Sequence, residues 1–309
     1  MRRDFEPVIK WSGSKRSIAG ALARLFPKAD RFFDPFVGGG AILPFRPAEQ
    51  AVVGDIIPEL IELWRAIQER PEVVARGYTK RWNRLQSEGH TAFYDIRTRF
   101  NEQRDPLDLL FLSRTCVNGL IRFNSSGEFN NSLHHTRPGI HPLRLRDALM
   151  RWSERLRGVE FLACDYRETL SGAQKGDVAF LDPPYACNRG RYRKDDFDAD
   201  AFFRELERLN GVGVHWVLTF DGEAGARVYE GGMPEGLART RLAAPTGNSP
   251  FTRLMGTTID PVVESVYLNF EPSSETLCKF SEFRRKPRED RTAEKMEQGA
   301  LFAREKLQG

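Results

Sequence analysis

Asp182, Pro183, Pro184 and Tyr185 stand in a row, and together they carry the strongest chemical signal in the chain. They follow the apolar run Val178 to Leu181, which fits a buried strand. A carboxylate at the carboxyl end of such a strand stands where open α/β sheets place their ligands. The two prolines remove two backbone donors and fix φ, so the turn is stiff and its carbonyls are left as acceptors. Tyr185 adds an aromatic face. A carboxylate, a carbonyl and a ring on one rigid turn suit an exocyclic amine on a flat ring. The two N–H groups meet two acceptors, and the ring stacks. The plainer reading is a proline-rich turn with a capping acid.

Three other stretches could hold a ligand. "FDPFVGGG", residues 33 to 40, has glycines that permit positive φ and a close approach of ligand or backbone. It is neither a GxGxxG fingerprint nor a P-loop. Asp55 closes the next apolar run, "AVVGD", about 20 residues later, the spacing at which nucleotide-binding α/β folds place an acid on ribose hydroxyls. It could equally cap the helix that Pro58 starts, and both roles can hold together. "IKWSGSK", residues 9 to 15, puts Lys15 at a helix start, where a cation opposes the dipole. That placement suggests that Lys15 answers an anion, such as a ligand carboxylate.

The elements around these residues alternate. Residues 14 to 26 read as a helix with Ser14 as its cap, "RFFDPF" and residues 51 to 55 as strands, and "PELIELWRAIQ" as a helix with one apolar stripe. This is the start of a doubly wound α/β sheet. From about 70 to 150 the segments are helical, including "PLDLLFLSRTCVN" and "HPLRLRDALMRWSERLRG", with a polar hairpin or loop at "NSSGEFNNS". Strands return at residues 159 to 165, 177 to 182, 214 to 220 and 263 to 270, with a helix at "DADAFFRELERLN". The expected architecture is an α/β, Rossmann-like sheet, split over 1–68 and 150–271. A mostly helical insertion occupies 69–149, and 272–309 forms a charged, flexible tail with a short helix near 293 to 306.

The chain has 309 residues, 40% hydrophobic and 29% charged, with a net charge of +4. It reads as a globular protein without a membrane span or secretory leader, so a cytoplasmic location is expected. Arginines crowd residues 76 to 157, which suits a nucleic-acid partner. The four cysteines are scattered and include no CxxC, and no metal site is expected; His134, His135 and His141 read as loop histidines.

"KWSGSK", "FDPFVGGG" and "DPPY", in that order around an insertion, resemble the motifs of the Dam-like (D12 class) DNA adenine-N6 methyltransferases that use S-adenosylmethionine. "SRTCVNGLIRFNSSGEFNNS" and "FLACDY" are similar to further segments of that family, and the resemblance covers roughly residues 7 to 270. It implies cofactor contacts at Trp11, Lys15, Asp34, Phe36, Gly38, Gly40, Asp55, Asp165 and Asp182. It implies a catalytic turn at Asp182, Pro183, Pro184 and Tyr185, acting on an adenine flipped out of double-stranded DNA. The insertion would read DNA, with Arg114, Asn118, Arg122 and Asn124 as contacts; each asparagine could instead shape a turn. A restriction endonuclease would be a genetic partner at most. Cytosine-N4 methylation is the alternative chemistry. An RNA amine methyltransferase and a non-catalytic DNA-binding protein are more distant readings.

Overall fold

The computed structural model describes residues 5–134, 136, 138–184, 197–224, 227–229, 232–248 and 261–282. Its centre is a sheet built from β1 (Phe32–Asp34), β2 (Ala51–Asp55), β3 (Val159–Ala163), β4 (Val178–Leu181), β5 (His215–Ala224), β6 (Arg227–Tyr229), β7 (Thr240–Asn248) and β8 (Pro261–Leu268). The strand order is β3-β2-β1-β4-β5-β8-β7, with β6 beside β5. The path from β3 to β5 is parallel, while β8, β7 and β6 run antiparallel to their neighbours. The chain thus moves outward from β1 to β3, then returns to lay β4 on the other side of β1. That reversal is the switch point at which open sheets leave a crevice for a ligand.

Successive side chains point to opposite faces of a strand, and here both faces are covered. Phe32, Val53, Phe161, Phe180 and Val217 belong to one apolar cluster. It also takes in the stripe Leu60, Leu63, Trp64 and Ile67 of α2 (Pro58–Glu69). Phe33, Ala179, Leu181, Trp216 and Leu218 belong to the other, with α7 (Tyr166–Leu170) and α8 (Ala199–Val212). Coverage on both sides explains why every residue of β4 is buried and why its sequence is continuously apolar.

The insertion is helical, with α3 (Pro71–Glu88), α4 (His90–Gln103), α5 (Pro106–Thr115) and α6 (Pro142–Arg155). Asp108, fully buried, accepts from Arg81 Nε at 2.5 Å and from Arg99 Nε at 2.8 Å, so α3, α4 and α5 are tied by one charged knot. Removing Asp108 would take a shared partner from both arginines, of which Arg81 would keep Asp105. The α3 to α6 helices share the first apolar cluster with the sheet. The boundaries expected at 68/69 and 149/150 fall inside α2 and α6, because these helices pack on each other and on the sheet as one core.

Several elements differ from the sequence expectation. The opening helix shortens to a 3-10 turn, Lys15–Ser17, followed by α1 (Ala19–Leu22), and the Ser14 side chain makes no capping bond. The helix α5 stops at Thr115, because Cys116 takes an extended conformation with ψ of 162°; Asn118 then turns the chain with a left-handed φ of 57°. Strands β6 and β7 were not expected. The stretch read as a flexible tail begins with α9 (Ser274–Ser281), capped by Ser273 and held by Phe280 packed on the core and by the Arg24 guanidinium on the Lys279 carbonyl. The short helix expected near 293 to 306 lies outside the described residues. No helix among the described residues is long and apolar enough to cross a membrane.

Candidate active site

The four neighbouring parallel strands β3, β2, β1 and β4 each deliver an acid at or just past their carboxyl ends: Asp165, Asp55, Asp34 and Asp182. The sequence expectation placed all four at a ligand, and the fold brings them to one edge. Their surroundings differ.

Asp34 is 2% exposed and accepts from the Phe36 backbone N–H at 3.3 Å. Burial raises its carboxyl well above the usual range; the Phe36 N–H opposes this, and the charges of Asp182 and Asp55 add to it. Asp34 was expected among the cofactor contacts. Its burial and its bond to Phe36 make it a support that shapes the loop from within.

Asp55 accepts from Gly38 N at 3.1 Å and from Ile57 N at 3.1 Å. Burial lifts it to about 6 against those bonds. One oxygen accepts from the residue that precedes α2, without capping the helix, and the other holds the glycine loop. Ile56, beside it, is 68% exposed and offers an apolar face at the same edge. Asp165 caps α7 by accepting from Arg167 N at 3.0 Å and pairs with Arg167 Nε at 2.7 Å.

The glycine loop is fixed from three sides. Trp64 Nε1 donates to the Gly38 carbonyl at 3.0 Å. Gly38 and Gly40 have φ of 45° and 64°, which side chains other than glycine rarely adopt. A Cβ on Gly38 would lie 2.7 Å from Trp11 Cδ1, and one on Gly40 2.7 Å from Trp64 Cζ2. Trp11 therefore walls the loop. Phe36 stacks on Tyr166 with ring centres 5.6 Å apart. A bare backbone turn between two tryptophans, with a carboxylate at its rim, fits a ligand carrying ribose hydroxyls and needing close backbone approach.

Lys15 does answer an anion, and it is the protein's own. Its Nζ lies 2.8 Å from Asp182 Oδ1 and 3.7 Å from Glu264 Oε2, and it donates to the Gly13 carbonyl at 3.1 Å. The Thr219 hydroxyl donates to the same Asp182 oxygen at 2.8 Å. Sequence reasoning missed Thr219 and Glu264. For Glu264 a signal existed, an acid inside the apolar strand "PVVESVYL". Pro183 is buried and Pro184 half-buried; Tyr185 lies outside the described residues.

The expected DNA contacts separate. Arg114 is 7% exposed on α5 and donates to the Pro7 carbonyl at 2.8 Å; burial lowers its pKa. A guanidinium enclosed in this way braces the opening segment and does not face a phosphate. Asn124 closes the turn 124–128: its Oδ1 accepts from Ser126 N and Glu128 N, and its Nδ2 donates to Glu128. Asn118 is exposed in its left-handed turn, and Arg122 is exposed with Nε on Asn130 Oδ1 at 2.8 Å.

The sheet order, the glycine loop and the row of acids define a Rossmann-like methyltransferase architecture. Residues 11–209 match the family model of the D12 class N6 adenine-specific DNA methyltransferases, and the chain belongs to that family. Relatives include a DNA N-6-adenine-methyltransferase of Escherichia phage P1, 32% identical over 59% of this chain and 24% of the phage protein. A DNA adenine methylase of Vibrio cholerae is 30% identical over 58% of this chain and 64% of its own. The retron Ec67 DNA adenine methylase of Escherichia coli is 30% identical over 62% and 68%. The chain thus covers less than two thirds of the first two relatives.

Proposed function

We propose that this protein transfers a methyl group from S-adenosylmethionine to N6 of an adenine flipped out of double-stranded DNA. The carrying observation is the carboxylate of Asp182, held at the sheet's carboxyl edge beside the glycine loop. Aspartate at this position favours adenine over the cytosine-N4 alternative. S-adenosylmethionine supplies an electrophilic sulfonium methyl when bound. The glycine loop, Trp11 and Phe36 would wall it, Asp55 would accept from its ribose hydroxyls, and Ile56 and Asp165 would border its adenine.

Asp182 would accept one N6–H, and the Pro183 carbonyl the other. Both bonds favour a pyramidal, nucleophilic nitrogen over one conjugated into the ring. As N6 gains positive charge, the Asp182 carboxylate stabilises it electrostatically, and the surplus N6 proton leaves along that hydrogen bond. Tyr185 would stack on the flipped base and offset part of the lost stacking. The insertion, with Asn118 and Arg122 exposed, is the DNA-reading part of this proposal. A cytoplasmic location fits such a substrate. One relative, from Lactococcus lactis, is named a type II methyltransferase; a genetic pairing with a restriction endonuclease would follow that precedent.

The test uses purified protein, labelled S-adenosylmethionine and unmethylated genomic DNA, with Asp182→Ala alongside. Nucleosides from the product are read by mass. N6-methyladenine from the wild type alone supports the reading. N4-methylcytosine, or label on matched RNA but not on DNA, overturns it.

A further inference from the structure

Two buried groups, Lys15 and Thr219, meet Asp182, the half-buried Glu264 stands behind Lys15, and the contacts are unequal on the two oxygens of Asp182. Lys15 Nζ and the Thr219 hydroxyl both meet Oδ1 at 2.8 Å. Among the described residues, none bonds to Oδ2. Thr219 is fully buried on β5 and Lys15 is 4% exposed, so neither can swing away without unpacking. Glu264, on β8 two strands from Asp182, stands behind Lys15 at 3.7 Å. That separation is an ion pair and not a hydrogen bond, and Glu264 Oε2 is buried with no hydrogen-bond partner.

We infer that Thr219 and Glu264 are positioning residues for the methyl transfer: they hold Asp182 with Oδ1 occupied, Oδ2 presented to the substrate amine, and the charge of Lys15 shared. This rests on the function proposed above. Thr219 acts directly, because a hydroxyl and an ammonium on one oxygen fix the rotation of the carboxylate. Glu264 acts through Lys15. A lone ammonium 2.8 Å from the acceptor would oppose positive charge building on N6. A second carboxylate behind the ammonium offsets that opposition while leaving Lys15 in place to keep Asp182 oriented.

The electrostatics of Glu264 agree. Burial pushes its carboxyl up to about 7, Lys15 pulls it down and Asp182 pushes it up. Among the described residues, these two are the charged groups acting on it. A group in that range answers to small changes in its neighbours.

The experiment compares wild type with Glu264→Gln and Thr219→Val. Both variants keep the side-chain shape. Steady-state kcat is measured with KM for S-adenosylmethionine and DNA, and the melting temperature confirms folding. The expected result is a fall in kcat of about 10- to 100-fold with both KM values within about threefold, the pattern for partners that orient a reacting group. A kcat within about twofold of wild type in Glu264→Gln overturns the role of Glu264, and the same result in Thr219→Val overturns that of Thr219. A parallel rise in the cofactor KM makes them binding residues and also overturns the inference. The wild-type product separates this outcome from failure of the functional reading. If wild type makes no N6-methyladenine, the reading fails, and the charge cluster is judged without activity. The Glu264 carboxyl is titrated by carbon NMR in the free protein and in Lys15→Met. A higher titration point in Lys15→Met supports the shared charge, and an unchanged one overturns it.

Discussion

Lys15 and Arg122 are both cations of segments expected to meet a ligand, and their surroundings are opposite. Lys15 is enclosed and held between Asp182 and Glu264. Arg122 is exposed and leans on Asn130 of the same hairpin. At the carboxyl edge, charged groups are desolvated and fix one another over long sequence separations. In the inserted hairpin, polar groups bond to near neighbours and keep a wet face. Under the function proposed above, the contrast suits a division of labour: preorganised charge where bonds change, adaptable contacts where a duplex is met and released.

The largest expected effect belongs to the edge. Asp182→Ala should lower methyl transfer by about 1,000-fold or more, with cofactor binding retained, since it removes acceptor and charge stabilisation together. Equilibrium dialysis of the cofactor alongside kinetics checks both halves. Next, Gly40→Ala should cost about 2 kcal/mol of stability, because a Cβ strains a positive φ and meets Trp64. Thermal melting reads this loss, and cofactor affinity should fall with it.

Asp55 sharpens the contrast through pH. Its acceptor form is the carboxylate, and its carboxyl titrates at about 6. Cofactor affinity should therefore hold above that value and weaken by about tenfold per unit below it, one proton being taken up. Calorimetry between pH 8 and 5 would measure the slope, and Asp55→Asn should bind weakly and without that slope.

The smaller effects concern the insertion. Arg114→Gln should lower stability by about 1–2 kcal/mol through the lost brace to Pro7, while the salt dependence of DNA binding stays unchanged. Arg122→Gln should do the reverse, with an unchanged melting point and a log–log salt slope shallower by about 1 if it meets a phosphate. Asn118→Gly keeps the left-handed turn and removes the amide. Lost discrimination between DNA sites would make Asn118 a base reader, and unchanged discrimination would make it a turn former.

The same contrast explains what the sequence could reveal. Asp55 and Asp182 were legible because each ends an apolar run, and strand followed by acid is a local pattern. Lys15 was legible as a cation seeking an anion, but its partners lie far along the chain at Asp182 and Glu264. Arg114 was misread because a charge in an arginine-rich stretch looks solvated, and only the packing of α5 against the opening segment shows its burial. Strand β7 escaped because "TRLAAPTGN" carries a proline and a glycine. The register shifts between Pro245 and Gly247, and the strand sits at the end of the sheet order, where such residues are tolerated. The helix α9 escaped because charge density suggested a chain without a core partner, whereas Phe280 supplies one.

That helix sets where the polypeptide can be shortened. Cutting before Ser274 would strip Phe280 from the apolar core and leave Arg24, just after α1, without the Lys279 carbonyl, close behind the segment that carries Lys15. A deletion meant to probe the basic residues after 282 should therefore end at Glu282. A shorter form would confuse lost DNA affinity with a loosened opening motif.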